Sequence, residues 1–225
     1  MAQPEPLTAA QRLGVVRTAL SRAAGLAGRA PDEIELIAIS KMHTADAIRP
    51  LLEAGQRSFG ENRVQEAEAK WPALKSEFSD VRLHLVGQLQ SNKAAQAVAL
   101  FDAIHGVDRP SLVKALAEAM AAGGRRPDCY IQVNIGEEPQ KGGCAIDDLP
   151  GLLDVARAAG LPIVGLMAVP PAGVEAAPYF ALLGELARRH GLSGLSMGMS
   201  GDYETAAMLG ATCVRVGTAL FGERA

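Results

Sequence analysis

Short apolar runs rich in β-branched residues alternate along the chain with longer segments whose apolar positions recur at helical spacing. The apolar runs predict eight strands, at 35–40, 57–60, 82–87, 102–107, 129–134, 162–169, 194–198 and 212–217. The helical patterns lie near 8–27, 44–54, 62–71, 91–100, 109–122, 147–159, 175–190 and 201–209. This alternation of strands and helices predicts a parallel β-sheet.

Five of the helical patterns are followed by a glycine, where a left-handed residue ends a helix: Gly55, Gly123, Gly160, Gly191 and Gly210. Eight βα units in 225 residues fit a closed (β/α)8 barrel. We therefore predict an α/β fold, a single-domain TIM barrel over residues 1–225 with an extra N-terminal helix. An open, doubly wound sheet is the alternative.

Polar and glycine-rich positions recur at the carboxyl ends of the predicted strands, where parallel barrels carry their functional residues. Lys41 ends the first strand, although lysine is rarely buried without a partner. Asn62 follows the second strand. A lysine amine that loses its proton in a pocket can attack a carbonyl group, so Lys41 is a candidate for Schiff-base chemistry.

The loops after strands seven and eight predict a phosphate site. The first contains Ser196, Ser200 and two glycines, and the second contains Gly217 and Thr218. A short helix follows Gly217, and backbone N–H groups at a helix start bind anions. In many such barrels these two loops hold a phosphate group together.

Arg215 shares one face of the last strand with Cys213, while two valines share the other. An inward guanidinium needs an acceptor, which is either a carboxylate such as Glu61 or a bound ligand. A lysine amine, a phosphate cradle and an inward arginine together indicate a phosphorylated aldehyde. Pyridoxal 5'-phosphate (PLP) has these features, with Lys41 forming the Schiff base and Arg215 facing the pyridine nitrogen.

Six motifs cover nearly the whole chain: AISK (38–41), FGENRVQEA (59–67), HLVGQLQSNK (84–93), QVNIGEEPQKGG (132–143), GLMAVPP (165–171) and LSMGMSGDYETAAMLGATCVRVGTALFGER (195–224). With them the sequence resembles the pyridoxal phosphate homeostasis proteins, single-domain relatives of the N-terminal barrel of alanine racemase. The last motif is long and specific to that family.

The resemblance implies a set of cofactor-binding residues. It implies PLP as a Schiff base on Lys41, with Asn62 beside the cofactor and Arg215 near the ring nitrogen. It also implies phosphate contacts from Ser200 and from the backbone of two further residues, Gly217 and Thr218. The implied function is the storage, buffering or delivery of PLP, a form of vitamin B6, to apo-enzymes, with effects on amino-acid and keto-acid balance.

The chain departs from the family pattern at several positions. Met42 and His43 stand where the family usually has a threonine and then a basic or polar residue before a proline. Arg63 stands where a tyrosine is common, and Leu83 where an aromatic residue is common. These departures leave the lysine and phosphate positions intact and affect the expected shape of the pocket rim.

The sequence favours a carrier over an enzyme. A racemase needs an acid/base on each face of its adduct, and two-domain racemases take the second from a tyrosine of another domain. None of Tyr130, Tyr179 and Tyr203 is expected to face the ring. Arginine at the ring nitrogen cannot accept the ring's proton, so the ring should stabilise carbanions poorly. A weak amino-acid racemase and a Schiff-base aldolase without PLP remain alternatives.

Composition and charge add several expectations. The net charge is -3 and no basic block occurs, so we expect no nucleic-acid partner. The three cysteines have no metal-ligand spacing and predict buried thiols, and His84 predicts a hydrogen-bonded core residue rather than a base. We expect no metal site. We also expect no membrane span and no signal peptide, and we therefore predict a cytoplasmic protein. We also expect a monomer.

Overall fold

The computed structural model describes residues 6–222. Within this range the strands are β1 (Glu35–Ile39), β2 (Ser58–Glu61), β3 (Arg82–Leu85), β4 (Ala103–Val107), β5 (Asp128–Gln132), β6 (Ile163–Met167), β7 (Gly194–Ser196) and β8 (Cys213–Val216). The α-helices are α1 (Ala9–Leu26), α2 (Ala45–Glu53), α3 (Val64–Glu77), α4 (Ala94–Leu100), α5 (Pro110–Gly123), α6 (Leu149–Ala158), α7 (Ala177–Arg189), α8 (Tyr203–Met208) and α9 (Thr218–Phe221).

The eight strands pair in parallel and close into a barrel in chain order. Closure is made by β1 and β8, where Ile37 stands opposite Arg215. The predicted (β/α)8 barrel is therefore confirmed, and the open-sheet alternative is wrong. Each predicted strand is present, with ends that differ from the prediction by at most two residues.

The extra N-terminal helix is also confirmed. Thr8 caps α1, and its side chain and that of Gln11 form a reciprocal capping box. Leu13, Val16 and Leu20, which recur at helical spacing, are buried. The helix packs against α8 and α9 on the outside of the barrel.

Helix α3 extends further than its sequence pattern predicts. The pattern places its end near residue 71, but the helix continues through Pro72 to Glu77. Trp71 and Leu74 are both buried, so the longer helix buries one more apolar side chain against the sheet.

One of the five predicted helix-ending glycines was assigned incorrectly. Gly123 is the last residue of α5, and the left-handed residue is Gly124, with φ of 71°. Two glycines follow one another here, and either one can adopt that conformation without a steric cost. The other four predicted glycines have positive φ.

The strands alternate between an outer face that packs on the helices and an inner face that fills the barrel. In β8 the two valines belong to the large outer core, whereas Cys213 belongs to a small interior cluster with Ile37, Tyr130 and Met167. This confirms the predicted facing of β8. It also places Arg215 on the interior face, two residues beyond Cys213.

The helices, the metal-ligating side chains and the cysteines of the described residues can be compared with the sequence. No helix within residues 6–222 is long and apolar enough to cross a membrane. Over the same range, no group of three or more His, Cys, Asp or Glu side chains is arranged to hold a metal ion. All three cysteines are buried free thiols, as the sequence predicts.

Candidate functional site

A cavity of about 430 Å³ lies at the carboxyl ends of the barrel strands. Such a volume is in the range of cofactor sites, roughly 300–1,000 Å³. The cavity lining includes all six cofactor-binding residues that the family resemblance implies: Lys41, Asn62, Ser200, Arg215, Gly217 and Thr218. They belong to four strands and the loops after them, β1, β2, β7 and β8, so residues from both ends of the chain meet at one place.

Lys41 lies two residues beyond the end of β1, where strand alternation directs its side chain into the barrel mouth. Ile37 and Ile39 pack on the interior cluster, and Lys41 continues their face. The side chain is partly buried and lines the cavity. An apolar strand therefore ends on an ammonium group because the barrel interior opens into a pocket at that level.

The turn that carries Lys41 is held from behind by a second, buried lysine. Lys70 of α3 donates hydrogen bonds to the backbone carbonyls of Ser40, at 2.8 Å, and His43, at 3.0 Å. It also forms ion pairs with Glu61 and Glu66, each at 2.9 Å. These contacts fix both ends of the turn, so the backbone position of Lys41 depends on α3.

Met42 lies within this turn in a left-handed conformation, with φ of 64°. Residues other than glycine and asparagine rarely adopt this backbone conformation, which persists only where the surrounding structure enforces it. The Met42 backbone N–H donates to the Glu66 carboxylate, which is itself paired with Lys70. The same α3 side chains thus hold the strained residue beside the lysine.

Arg215 is buried in the barrel interior and donates to Ser196 Oγ at 2.5 Å and to the Ala168 carbonyl at 2.9 Å. Burial lowers the pKa of its guanidinium, but an arginine remains charged in a protein. The ion pair with Glu61 that the sequence left open is not formed, because the Glu61 carboxylate binds Lys70 instead. Arg215 also lines the cavity, so its position suits the ligand-contact interpretation.

Ser196 was assigned to the phosphate loop, and this was wrong. It is the last residue of β7 and is fully buried, and its hydroxyl faces the barrel interior rather than the cavity. Ser200, four residues later, is the serine of that loop that lines the cavity. The prediction counted Ser196 with the residues that follow β7, whereas Ser196 is still part of the strand, so its side chain lies in the barrel interior.

The loops after β7 and β8 contact each other, as the sequence predicts for a phosphate cradle. The Gly217 backbone N–H donates to Ser200 Oγ at 3.2 Å. Gly217 precedes α9, and its carbonyl accepts hydrogen bonds from the N–H groups of Leu220 and Phe221, whereas the first two N–H groups of a helix have no acceptor within it. Thr218, the first residue of α9, lines the cavity beside them.

The apolar walls of the cavity were not predicted. Ile39, Val86 and Val169 line it at the ends of β1, β3 and β6. His43 lines it as well and stacks on the ring of Phe221, with centroids 4.1 Å apart. The signal was present in the alternation of strand residues, since each of the three apolar residues lies two positions beyond an interior one.

Two sequence comparisons decide the family. The family described as alanine racemase, N-terminal domain, matches residues 20–225. A pyridoxal phosphate homeostasis protein of Pseudomonas aeruginosa is 42% identical in an alignment of 225 positions that covers 96% of each chain. This chain belongs to the pyridoxal phosphate homeostasis protein family.

Solved structures of this family share the barrel. The structure of PipY from Synechococcus elongatus PCC7942 without PLP is 40% identical, covers 95% of this chain and 99% of PipY, and has a TM-score of 0.80. The structure of PipY with PLP bound is 41% identical, covers 91% of this chain and 100% of PipY, and has a TM-score of 0.75.

Departures from the pattern of the pyridoxal phosphate homeostasis proteins lie mainly around the rim of the cavity. Met42 is 72% exposed, and His43 lines the cavity next to it. Arg63 is exposed at the start of α3. Leu83 is different, since it is fully buried in β3 between the sheet and the helices. The rim of this protein therefore carries its own side chains beside Lys41.

No tyrosine within residues 6–222 lines the cavity. Tyr130 is buried in the barrel interior, where it stacks on His105 at 4.4 Å, and Tyr179 and Tyr203 lie on α7 and α8. The cavity lining contains the cations Lys41 and Arg215, and no acidic side chain within residues 6–222 is part of it. The electrostatics of the site therefore favour an anionic ligand.

Proposed function

We propose that this protein binds PLP as a Schiff base on Lys41 and acts in PLP homeostasis, as a single PLP-binding domain over residues 1–225. The observation that carries the proposal is the cavity, which joins a lysine amine, an arginine and a serine–glycine loop. Within residues 6–222, no acidic residue is part of the cavity lining. An aldehyde that bears a phosphate group matches this donor set.

Each predicted site residue receives a role in this proposal. Lys41 holds the cofactor covalently, and Asn62 lies beside it. Ser200 and the backbone of Gly217 and Thr218 bind the phosphate group. This assignment is supported by the contact of Gly217 N–H with Ser200 Oγ, which holds the two loops together.

Arg215 faces the ring side of the site in this proposal. Bound PLP supplies an electrophilic carbonyl group and, where its ring nitrogen is protonated, an electron sink. The Arg215 guanidinium can only donate hydrogen bonds, so it cannot accept a hydrogen bond from a protonated ring nitrogen. Its presence therefore favours holding the cofactor over catalysis on amino acids, and the family name of the relatives points in the same direction.

We further propose that the recipients of PLP are PLP-dependent apo-enzymes and that the protein is a monomer in the cytoplasm. The exposed rim beside the lysine supports access by a recipient, because Met42 and Met199 are 72% and 39% exposed there. Transfer of PLP to an apo-enzyme in a two-protein mixture, together with the mass of the free protein in solution, tests both statements.

The deciding experiment is an absorbance spectrum with added PLP, followed by borohydride reduction and peptide mass mapping. We expect a visible Schiff-base band and a reduced adduct on Lys41, both of which disappear in Lys41→Ala. Lys114→Ala is the matched control, because the Lys114 side chain is 80% exposed on α5, away from the cavity. A band that survives in Lys41→Ala, or an adduct on another lysine, would show that the proposal is wrong.

A weak racemase is the second candidate, and His43 is the observation that favours it. This residue lines the cavity near Lys41 and is a titratable group that could act as a second acid/base. We expect no exchange of an amino acid's α-hydrogen with deuterated water above the rate of free PLP. Exchange that requires both Lys41 and His43 would favour the racemase instead.

A further inference from the structure

A line of polar side chains crosses the interior of the barrel and ends at Arg215. It begins at Glu35, the first residue of β1, and continues through His84 of β3, His105 of β4 and Ser196 of β7. The two histidines and the serine are fully buried or nearly so. We call these five residues the interior relay.

The members of the interior relay follow one another at hydrogen-bonding or near hydrogen-bonding distances. Arg215 donates to Ser196 Oγ at 2.5 Å, and that oxygen lies 2.8 Å from His105 Nδ1. His105 Nε2 lies 3.0 Å from His84 Nδ1. His84 Nε2 lies 3.4 Å from the Glu35 carboxylate and has no well-aligned hydrogen bond within residues 6–222. Buried nitrogens almost always have a partner, so the Glu35 carboxylate accounts for this one.

The chemistry at the two ends gives the interior relay a direction. Arg215 can only donate, so Ser196 Oγ accepts there and has its own proton to donate to His105 Nδ1. A neutral His105 then carries its proton on Nε2 and donates it to His84 Nδ1. His84 in turn carries its proton on Nε2, directed at the Glu35 carboxylate. Every link has one donor and one acceptor.

The opposite direction requires a buried charge or an extra proton. His105 could donate through Nδ1 only if His84 carried protons on both nitrogens or if Glu35 were protonated. A second cation in the same interior as Arg215 is unfavourable, because it loses its hydration. Burial acts to raise the pKa of Glu35, but the hydrogen bonds that its carboxylate accepts from His84 and Ser58 lower it. Burial lowers the pKa of His105, which keeps that ring neutral.

The other titratable groups around the interior relay do not supply a competing charge. Tyr130 stacks on His105, and Cys213, the register partner of Ser196 on β8, interacts with the side chains of both Ser196 and Tyr130. Burial raises the pKa of both Tyr130 and Cys213, so both are neutral near pH 7. Arg82, near Glu35, forms its own ion pair with Asp128.

We propose that Glu35, His84, His105 and Ser196 are positioning residues that hold Arg215 in one orientation at the cavity, with both histidines neutral and protonated on Nε2. Arginine does not give up a proton, so the interior relay transmits orientation and does not conduct protons to the site. The binding part of this inference rests on the proposed function, whereas the histidine tautomers do not.

The tautomers are measured by ¹⁵N NMR of the protein without PLP. The chain has four histidines, and His43→Gln and His190→Gln identify the two peripheral signals. We expect His84 and His105 to be neutral near pH 7, each with its proton on Nε2. A proton on Nδ1 of either ring, or a doubly protonated His84, would overturn the proposed direction of the interior relay.

Two substitutions test the effect on Arg215. Ser196→Ala removes one acceptor of the guanidinium, and we expect at least about fivefold weaker PLP binding and a shift of the Schiff-base band, because a buried hydrogen bond to a charged group is lost. Ile37→Val is the packing control, since Ile37 stands opposite Arg215 in the barrel interior and its side chain carries no polar atom. It should lower stability while the band position stays unchanged. Equal effects of the two variants on the band would overturn the positioning role.

The far end of the interior relay is tested with Glu35→Gln, with Glu33→Gln as the matched control on the neighbouring surface. An amide can donate as well as accept, so we expect a mixture of tautomers at His84 and a band shift in the same direction as in Ser196→Ala. Wild-type spectra for Glu35→Gln would overturn the continuous relay. If the wild type forms no Schiff base on Lys41, the proposed function is wrong. The histidine tautomers, measured without PLP, still test the direction of the hydrogen bonds in the interior relay.

Discussion

Two lysines near the site, Lys41 and Lys70, have different roles because their surroundings differ. Lys41 faces the cavity, whereas Lys70 is 9% exposed and lies among two carboxylates and two backbone carbonyls. A buried ammonium group is tolerated only when it is paired in this way. At the scale of the residue, Lys41 in the cavity owes its backbone position to the buried Lys70.

Lys70→Met should therefore destabilise the protein by about 3 kcal/mol, because it leaves the buried Glu61 carboxylate without its cation. We also expect faster loss of PLP, since the turn that carries Lys41 is no longer held. Lys75→Met is the control: its ion pair with Asp102 is more exposed, and its removal should cost about 0–1 kcal/mol. Urea unfolding measures the stabilities, and the decay of the visible band measures PLP loss.

The double variant Lys70→Met with Glu61→Gln separates charge from packing. It should recover part of the lost stability, because the unpaired carboxylate is gone. A Lys70→Met protein as stable as the Lys75→Met control would contradict the proposed role of the buried lysine.

At the scale of the element, a glycine pair sets the distance between β6 and β7. Gly165 and Gly194 stand opposite each other on the two strands. A Cβ atom on Gly165 would lie 2.1 Å from the Gly194 carbonyl oxygen, and one on Gly194 would lie 3.0 Å from the ring of Tyr130. The absence of a side chain at Gly165 lets β6 and β7 approach each other, and its absence at Gly194 makes room for the buried Tyr130 ring.

Gly165→Ala should destabilise the protein by about 3 kcal/mol, because the backbone of β7 must move to admit the methyl group. Gly184→Ala makes the same chemical change in the middle of α7, where the nearest atom is 3.8 Å away. It should be stabilising by about 0.5–1 kcal/mol, since alanine favours the helix. Denaturant unfolding of both variants measures the two changes in stability. Equal changes would show that the close contact between β6 and β7 does not require glycine at position 165.

At the scale of the whole molecule, the three thiols report on the integrity of the barrel. Burial raises the pKa of Cys129 and of Cys144 to about 12 and that of Cys213 to about 11. These folded-state values lie above the pKa of a free thiol, about 8.5. The thiol contribution to stability is thus fully present below about pH 8.5 and is lost as the pH rises toward the folded-state values.

Alkylation of the native protein should be slow and should not accelerate between about pH 7 and 9, where an exposed thiol becomes a thiolate. In concentrated guanidinium chloride all three should react quickly. Peptide mass mapping identifies the order of labelling, and we expect Cys144 first, because it lies in the loop after β5 and is 7% exposed. Rapid labelling of Cys129 or Cys213 in the native state would show that the barrel opens locally.

The sequence by itself determined the barrel and the location of its cavity. Strand and helix periodicities are local properties, so eight βα units could be read from neighbouring residues. The carboxyl ends of parallel strands meet at one edge, which brought Lys41, Arg215 and the loops near Ser200 and Gly217 together before any distance was known. Prediction failed where a strand end decided the facing of a side chain, as at Ser196.

Only the tertiary structure decided which polar groups satisfy one another inside the barrel. Ser196 and His105 are 91 positions apart and lie on strands that do not pair, yet their side chains meet at 2.8 Å. The position of Lys70 behind the Lys41 turn likewise depends on how α3 packs against β2. Such partners are set by barrel closure and side-chain direction, and no local pattern in the sequence encodes either one.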